Sequence, residues 1–327
     1  MRAAVLHVAG EPPSLGSHPD PLPAEGRTLV RVTAAPVVPL DLLCASGTSY
    51  FGRPALPYVP GVQGVGVIER SAVLGAGTRV WFATSAGMAP GDGSLAEFCA
   101  VPDADVVPLA GPVPDEVVAS LGLSAVAAWM ALTWRARLRQ GERVMVLGGG
   151  GAVGQVAVGA ARLLGAERVV AVCRSPDSEL RARAAGADEV VPLTDDVDAL
   201  AAAMAEAAGG LVDVVVDPVF GRAAGAASRA LAPGGRLVNL GGASGDVAEF
   251  SSSVLRGKNA SILGYTNNAL TPAQRAEALE AVVFHAGSGA LAVDHEVLPL
   301  SQVTEGWRRT AEAAGRRVVL TPGAEAN

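Results

Sequence analysis

The sequence predicts an α/β protein in which a doubly wound, parallel six-stranded sheet is flanked in the chain by β-rich segments. Three observations carry this. Short apolar runs alternate with helical stretches from about residue 143 to 265, a glycine-rich turn sits after the first of those runs, and the first hundred residues hold many short strands punctuated by Gly and Pro. With 327 residues, half of them hydrophobic, the chain is long enough for two domains with large cores.

In order, strands are expected at 2–8, 29–35, 62–69, 79–83 and 95–101, which alone read as an all-β barrel or sandwich. An apolar, Ala-rich helix follows at 115–132, joining the domains. Strands are next expected at Arg143–Leu147, Arg168–Cys173, 189–191, Val212–Asp217, 236–240 and 261–265, with helices between them. In such a sheet the ligand lies beyond the C-terminal ends of the strands, so the loops after the strands carry the information. Thr271-Pro272-Ala273-Gln274 has the form of a capping box, opening a helix to about His285. A strand at 293–298, a helix at 301–314 stopped by Gly315, and a strand at 317–320 complete the chain.

Residues 143–154, RVMVLGGGGAVG, run a buried strand into four glycines and then a helix. Gly149, Gly151 and Gly154 fit G-x-G-x-x-G, the turn that lets a pyrophosphate approach the backbone at a helix N-terminus. Gly150, Ala152 and Val153 complete this cofactor-binding turn. About 20 residues further on, an acid would bind the ribose hydroxyls of NAD. The strand instead ends Val172-Cys173-Arg174-Ser175. Arg174 can bond a 2′-phosphate that a carboxylate would repel, which favours NADPH. The competing reading makes Ser175 before Pro176 a helix N-cap and Arg174 a solvated surface residue.

A net charge of −7 and a pI near 5.2 leave no electrostatic footprint for nucleic acid. Cys44, Cys99 and Cys173 lie far apart, which argues against a disulfide framework and for a reduced, cytoplasmic setting. No signal peptide is expected at the N-terminus. The two uncharged stretches 117–134 and 144–161 are broken by glycine or polar residues, so neither is expected to cross a membrane. The strand at 261–265 would be an exposed sheet edge, which pairing with its own copy would cover.

Six blocks carry a family resemblance: LPYVPGVQGVGVIE at 56–69, DGSLAEFCAVP at 92–102, GERVMVLGGGGAVG at 141–154, AAGAD at 184–188, VDVVVDPVFG at 212–221 and LAPGGRLVNLGGASG at 231–245. In content and order they resemble the medium-chain dehydrogenase/reductase superfamily and, within it, the zinc-free quinone oxidoreductase (zeta-crystallin-like) branch. The resemblance implies a GroES-like catalytic domain at 1–120, a Rossmann NADPH-binding domain at 121–265, a return to the catalytic domain at 266–327, and a cofactor cleft where they meet. It also implies a homodimer. At the nicotinamide end it points to Gly241 and Gly242, with Tyr265, Thr266 and Asn267 bonding the carboxamide. Where relatives place a lysine a little further on this chain has Ser178, leaving Arg181 or Arg183 to contribute beside Arg174.

No metal is expected. Zinc-dependent relatives carry a cysteine at the position matched by Val38 and a His-Glu pair at those matched by Val62 and Gln63. Hydride transfer to a quinone or an α,β-unsaturated carbonyl needs little acid-base machinery beyond a donor to the developing enolate oxygen. Tyr50, in a loop flanked by Gly47 and Gly52, is the first candidate, followed by Tyr58 and Tyr265. Relatives carry Asn at Val38, Tyr near Leu43 and Thr at Ala127, so the substrate half is unusually apolar and suits a small apolar carbonyl or quinone. The alternatives are an enoyl-thioester or polyketide-type enoyl reductase, and a non-catalytic NADPH-binding sensor or structural protein.

Overall fold

The structure, a computed structural model, describes residues 1–22, 24–312 and 316–323. The chain forms two compact units, Met1–Gly122 with Val293–Asn327, and Leu123–Ala292.

The first unit begins with a hairpin of β1 (Arg2–Val5) and β2 (Ser14–Ser17). It continues through β3 (Arg27–Val37), helix α1 (Pro39–Ala45), β4 (Gln63–Arg70), β5 (Arg79–Ala83), β6 (Phe98–Pro102) and β7 (Val106–Pro108). The strand pattern of 1–109 does not announce α1. Two local groups make it: Pro39 presets the first helical turn, and the Asp41 carboxylate accepts the Val38 N–H at 2.8 Å.

Helix α2 (Asp115–Met130) carries the chain from one unit into the other. It breaks at Gly122 (φ 35°, ψ −133°), where a Cβ would overlap the buried Gln63 side chain, and it continues as a π-helical stretch, Ala131–Ala136. The combined Asp115–Ala136 segment is long and apolar enough to span a membrane, yet 67% of its most apolar window is buried within the chain's own structure.

The second unit alternates β8 (Arg143–Leu147), α3 (Ala152–Leu163), β9 (Arg168–Cys173), α4 (Pro176–Ala184), β10 (Glu189–Pro192), α5 (Val197–Ala207), β11 (Val212–Asp217), α6 (Gly221–Ala230), β12 (Leu231–Asn239), α7 (Ser252–Lys258) and β13 (Ser261–Gly264). The strands form one parallel sheet in the order β10-β9-β8-β11-β12-β13, with the reversal between β8 and β11 that defines a doubly wound fold. Val144, Val146, Val170 and Val215 are fully buried, as expected for strands covered on both faces. At the edge, Arg135 Nε donates to Gly264 O at 3.0 Å.

Helix α8 (Pro272–Gly287) has the expected capping box and buries Ala278, Leu279, Val282 and Val283. It belongs to the second unit, so the return to the first begins at Val293 and not at 266. There β14 (His295–Pro299), α9 (Val303–Ala311) and β15 (Arg317–Thr321) complete the unit; the expected helix end at 314 and its stop at Gly315 lie outside the described residues. The sheet of this unit is mixed and seven-stranded, in the order β14-β15-β3-β4-β5-β7, with β6 also on β3. Its core includes Leu6, Ile68, Phe82 and Leu95, each at most 1% exposed.

Candidate functional site

The glycine stretch leaves β8 in a tight turn, with Gly148 at φ +66°. Its neighbours explain three of the glycines. A Cβ on Gly149 would lie 2.5 Å from Ala171 Cβ, one on Gly150 would overlap the Ser178 backbone, and one on Gly154 would overlap Gly148 O. Gly151 differs. It is exposed, and a Cβ there would meet only Gly148 O at 3.4 Å, so the protein itself does not demand a glycine. Gly151 also caps α3, whose first-turn N–H groups lack intrahelical partners and point along the positive end of the helix dipole. A turn open on that side fits a dinucleotide pyrophosphate.

Parallel register sets Leu147 beside Val172, so the turn and the end of β9 leave the sheet as neighbours. Arg174 is exposed and has no hydrogen bond or ion pair with the described residues. No acid stands between Val172 and Ser175. Ser175 does cap α4, accepting the Ser178 N–H at 3.3 Å, so its competing role is real and the phosphate role stays open to Arg174. Two side chains converge on the Gly150 carbonyl, a meeting that no sequence motif signals: Arg181 Nε and Gln155 Nε2 donate to it at 2.9 and 3.1 Å.

The ends of β11, β12 and β13 are also adjacent, with Asp217 opposite Asn239 and Asn239 opposite Gly264. Asp217 is fully buried and accepts the Val219 and Phe220 N–H groups at 3.1 and 2.7 Å; burial pushes its carboxyl above the usual range against those bonds. Gly241 is held close, since a Cβ there would lie 2.7 Å from Pro218 O, and Asn239 Nδ2 donates to Gly241 O at 2.7 Å. Gly242 follows in the same loop, where a Cβ would lie 3.0 Å from Gly245 O. The Asn267 amide is committed at both ends: Oδ1 accepts from Tyr265 Oη at 2.6 Å and Nδ2 donates to Leu123 O at 3.1 Å. Thr266 Oγ1 accepts the Asn268 N–H at 3.3 Å. Burial raises the Tyr265 phenol well above its ordinary range.

The residues matched to substrate-side positions lie in the first unit. Asp41 is 1% exposed, and its second oxygen accepts the Val62 N–H at 2.9 Å, which ties α1 to the start of β4. Burial pushes its carboxyl up to about 6, against the pull of these N–H groups and of Arg317. Arg317, itself buried, is brought down to about 10 by burial, and its guanidinium also donates to Val37 O at 3.2 Å. This partner, 276 positions along the chain from Asp41, had no signal in the sequence. Tyr50 is 79% exposed and lies tilted against Phe51, with ring centroids 4.1 Å apart; it belongs to the first unit, whereas the glycine turn belongs to the second. Tyr58 is 5% exposed; its hydroxyl is enclosed with no hydrogen-bond partner among the described residues, and burial raises it further than any neighbouring charge does. It is too enclosed to serve as a donor in this conformation.

The zinc positions do not fit the metal. Val38 and Val62 have no ligand atom, Gln63 Oε1 accepts the Trp81 indole N–H at 3.2 Å, and among the described residues no three His, Cys, Asp or Glu side chains cluster.

Comparison with known proteins adds two family matches: an alcohol dehydrogenase GroES-like domain over residues 24–114 and a zinc-binding dehydrogenase domain over 152–283. The chain is 30% identical over 250 residues to a quinone oxidoreductase of Mus musculus, covering 74% of this chain and 73% of the relative. Among solved structures it resembles the quinone oxidoreductase of Thermus thermophilus, described together with its complex with NADPH, at a TM-score of 0.82 and 30% identity over 98% of this chain and 100% of that one. It also resembles an NAD-dependent alcohol dehydrogenase, at a TM-score of 0.85 and 27% identity over 99% and 100% of the two chains.

Proposed function

The chain belongs to the quinone oxidoreductase branch of the medium-chain dehydrogenase/reductase superfamily, and from that premise we propose that it is a zinc-independent, NADPH-dependent oxidoreductase acting on a quinone or an α,β-unsaturated carbonyl. The observation that carries the cofactor choice is Arg174, exposed and without a partner among the described residues, beside the glycine turn at a strand end without an acid.

Bound NADPH supplies the hydride. The chain's residues bind and orient it. Gly149 to Gly154 receive the pyrophosphate, with Ala152 and Val153 offering first-turn N–H groups, while Arg174 and Ser175 receive the 2′-phosphate. Gly241 and Gly242 let the nicotinamide end approach the backbone. The segment Tyr265, Thr266 and Asn267 meets the carboxamide through its main chain, because the Asn267 side chain is already engaged. Tyr50 keeps an exposed hydroxyl to donate to the acceptor's carbonyl oxygen as charge develops there. Val38 and Val62 place no polar or metal-ligating atom at their positions, which suits a small apolar acceptor. We further propose a cytoplasmic homodimer paired through the β13 edge.

Steady-state oxidation of NADPH with a panel of quinones and enones tests this reading. Turnover is expected. Binding of NADPH without oxidation across the panel would favour the non-catalytic sensor, and turnover confined to enoyl thioesters would favour the enoyl reductase. Arg174→Ala is expected to weaken NADPH by roughly tenfold or more and NADH little, the loss of a charge-assisted phosphate contact.

A further inference from the structure

Four consecutive glycines are the most flexible backbone a chain can offer, so a phosphate-binding turn built from them needs outside restraint to be preformed. Here the restraint converges on Gly150. Its carbonyl accepts from Gln155 Nε2 in α3 at 3.1 Å and from Arg181 Nε in α4 at 2.9 Å. The next N–H, that of Gly151, closes the turn on Gly148 O at 3.0 Å. The peptide before the open Gly151 position is therefore fixed at both ends.

Of these restraints, the Arg181 bond is the charged one. It reaches the turn from α4, the helix that Ser175 begins and Arg174 precedes. We infer that Arg181 is a positioning residue for cofactor binding: it clamps the glycine turn in its phosphate-receiving shape and takes no part in reading the 2′-phosphate. Discrimination between phosphorylated and unphosphorylated ribose then falls to Arg174. This rests on the dinucleotide reading given above and divides the labour of the two arginines within it.

Two fragments separate the roles. ADP-ribose carries the pyrophosphate without a 2′-phosphate, and adenosine 2′-monophosphate carries the 2′-phosphate without a pyrophosphate. By calorimetric titration, Arg181→Met is expected to weaken ADP-ribose about tenfold, the scale of one charged hydrogen bond, and to leave adenosine 2′-monophosphate unchanged. Arg174→Ala is expected to do the reverse. Arg181→Lys, which keeps a cationic donor within reach of the same carbonyl, should recover most of the loss, whereas a side chain that only supports the fold would lower the melting temperature and spare ADP-ribose. Unchanged ADP-ribose affinity in Arg181→Met, or a loss for adenosine 2′-monophosphate, overturns the assignment while leaving the dinucleotide reading standing. Failure of the unmutated protein to bind ADP-ribose would overturn both.

Discussion

Replacing Arg317 with Met isolates the electrostatics beneath α1. Asp41 is buried and carries a carboxyl raised from 3.8 to about 6, mainly by burial. A carboxyl whose folded pKa exceeds its unfolded one favours folding most when protonated. Its contribution is therefore complete below about pH 4 and is lost as the pH rises through 6. The difference of about two pKa units corresponds to about 3 kcal/mol, a cost the protein carries at neutral pH with Arg317 as the opposing cation. Without that cation the carboxylate is buried and unpaired, at a cost of ~3–5 kcal/mol. Its pKa must then climb beyond 6, extending the pH-dependent loss toward neutrality. Urea unfolding followed by circular dichroism at about pH 5.5 and about pH 8 should show Arg317→Met losing more than the unmutated protein between the two, by about 1 kcal/mol for a climb of one pKa unit. Adding Asp41→Asn should abolish that extra slope. A difference between variant and parent that is the same at both pH values would refute the pairing.

Gly151→Ala should fold with near-parental stability, since a Cβ there meets only Gly148 O at 3.4 Å, yet bind NADPH at least about tenfold more weakly because a methyl would occupy the phosphate's approach. Gly154→Ala should instead cost about 1–3 kcal/mol of stability in urea unfolding, because its methyl would overlap Gly148 O. Gly122→Ala should destabilise by a similar ~1–3 kcal/mol, combining a left-handed φ of 35° with overlap on Gln63. Arg236→Met should cost about 2–4 kcal/mol, because it strips Glu142 of a two-pronged pair at 2.8 and 2.9 Å and leaves the Ala136 carbonyl without its donor. Burial pushes the Glu142 carboxyl up, but these bonds to Arg236 outweigh it and hold the group below its usual range. Its contribution is present above the unfolded pKa and fades as the pH falls through the folded one, so acid unfolding of Arg236→Met should be less steep.

What could be read from the sequence was what is local. The six strands of the parallel sheet stood out because buried valine runs, separated by helical periods, have few other uses, and the turn at Gly149 to Gly154 stood out because its spacing is short and its chemistry narrow. Helix α1 was hidden because seven residues are too few to show a period. The sequence pattern puts the return to the first unit at 266, whereas α8 packs in the second unit through Ala278 and Val282, whose apolar face gives no clue to which core it will join. Asp41 with Arg317, and Arg181 with Gly150, are partnerships across long stretches of chain, which only folding brings together.

The bond from Arg135 to the edge strand constrains how that edge can be shared. In a strand, the N–H and C=O of one residue point the same way and alternate between sides, and the Tyr265 N–H faces inward to Asn239 O. The outward-facing residues of β13 are thus Gly264, whose carbonyl Arg135 already occupies, and Ile262. In the proposed pairing about a two-fold axis, a second copy would find one complete pair of groups to exchange, Ile262 against its own equivalent, with an arginine standing at the next opportunity. Such an edge would admit a single register and resist growth into longer ribbons.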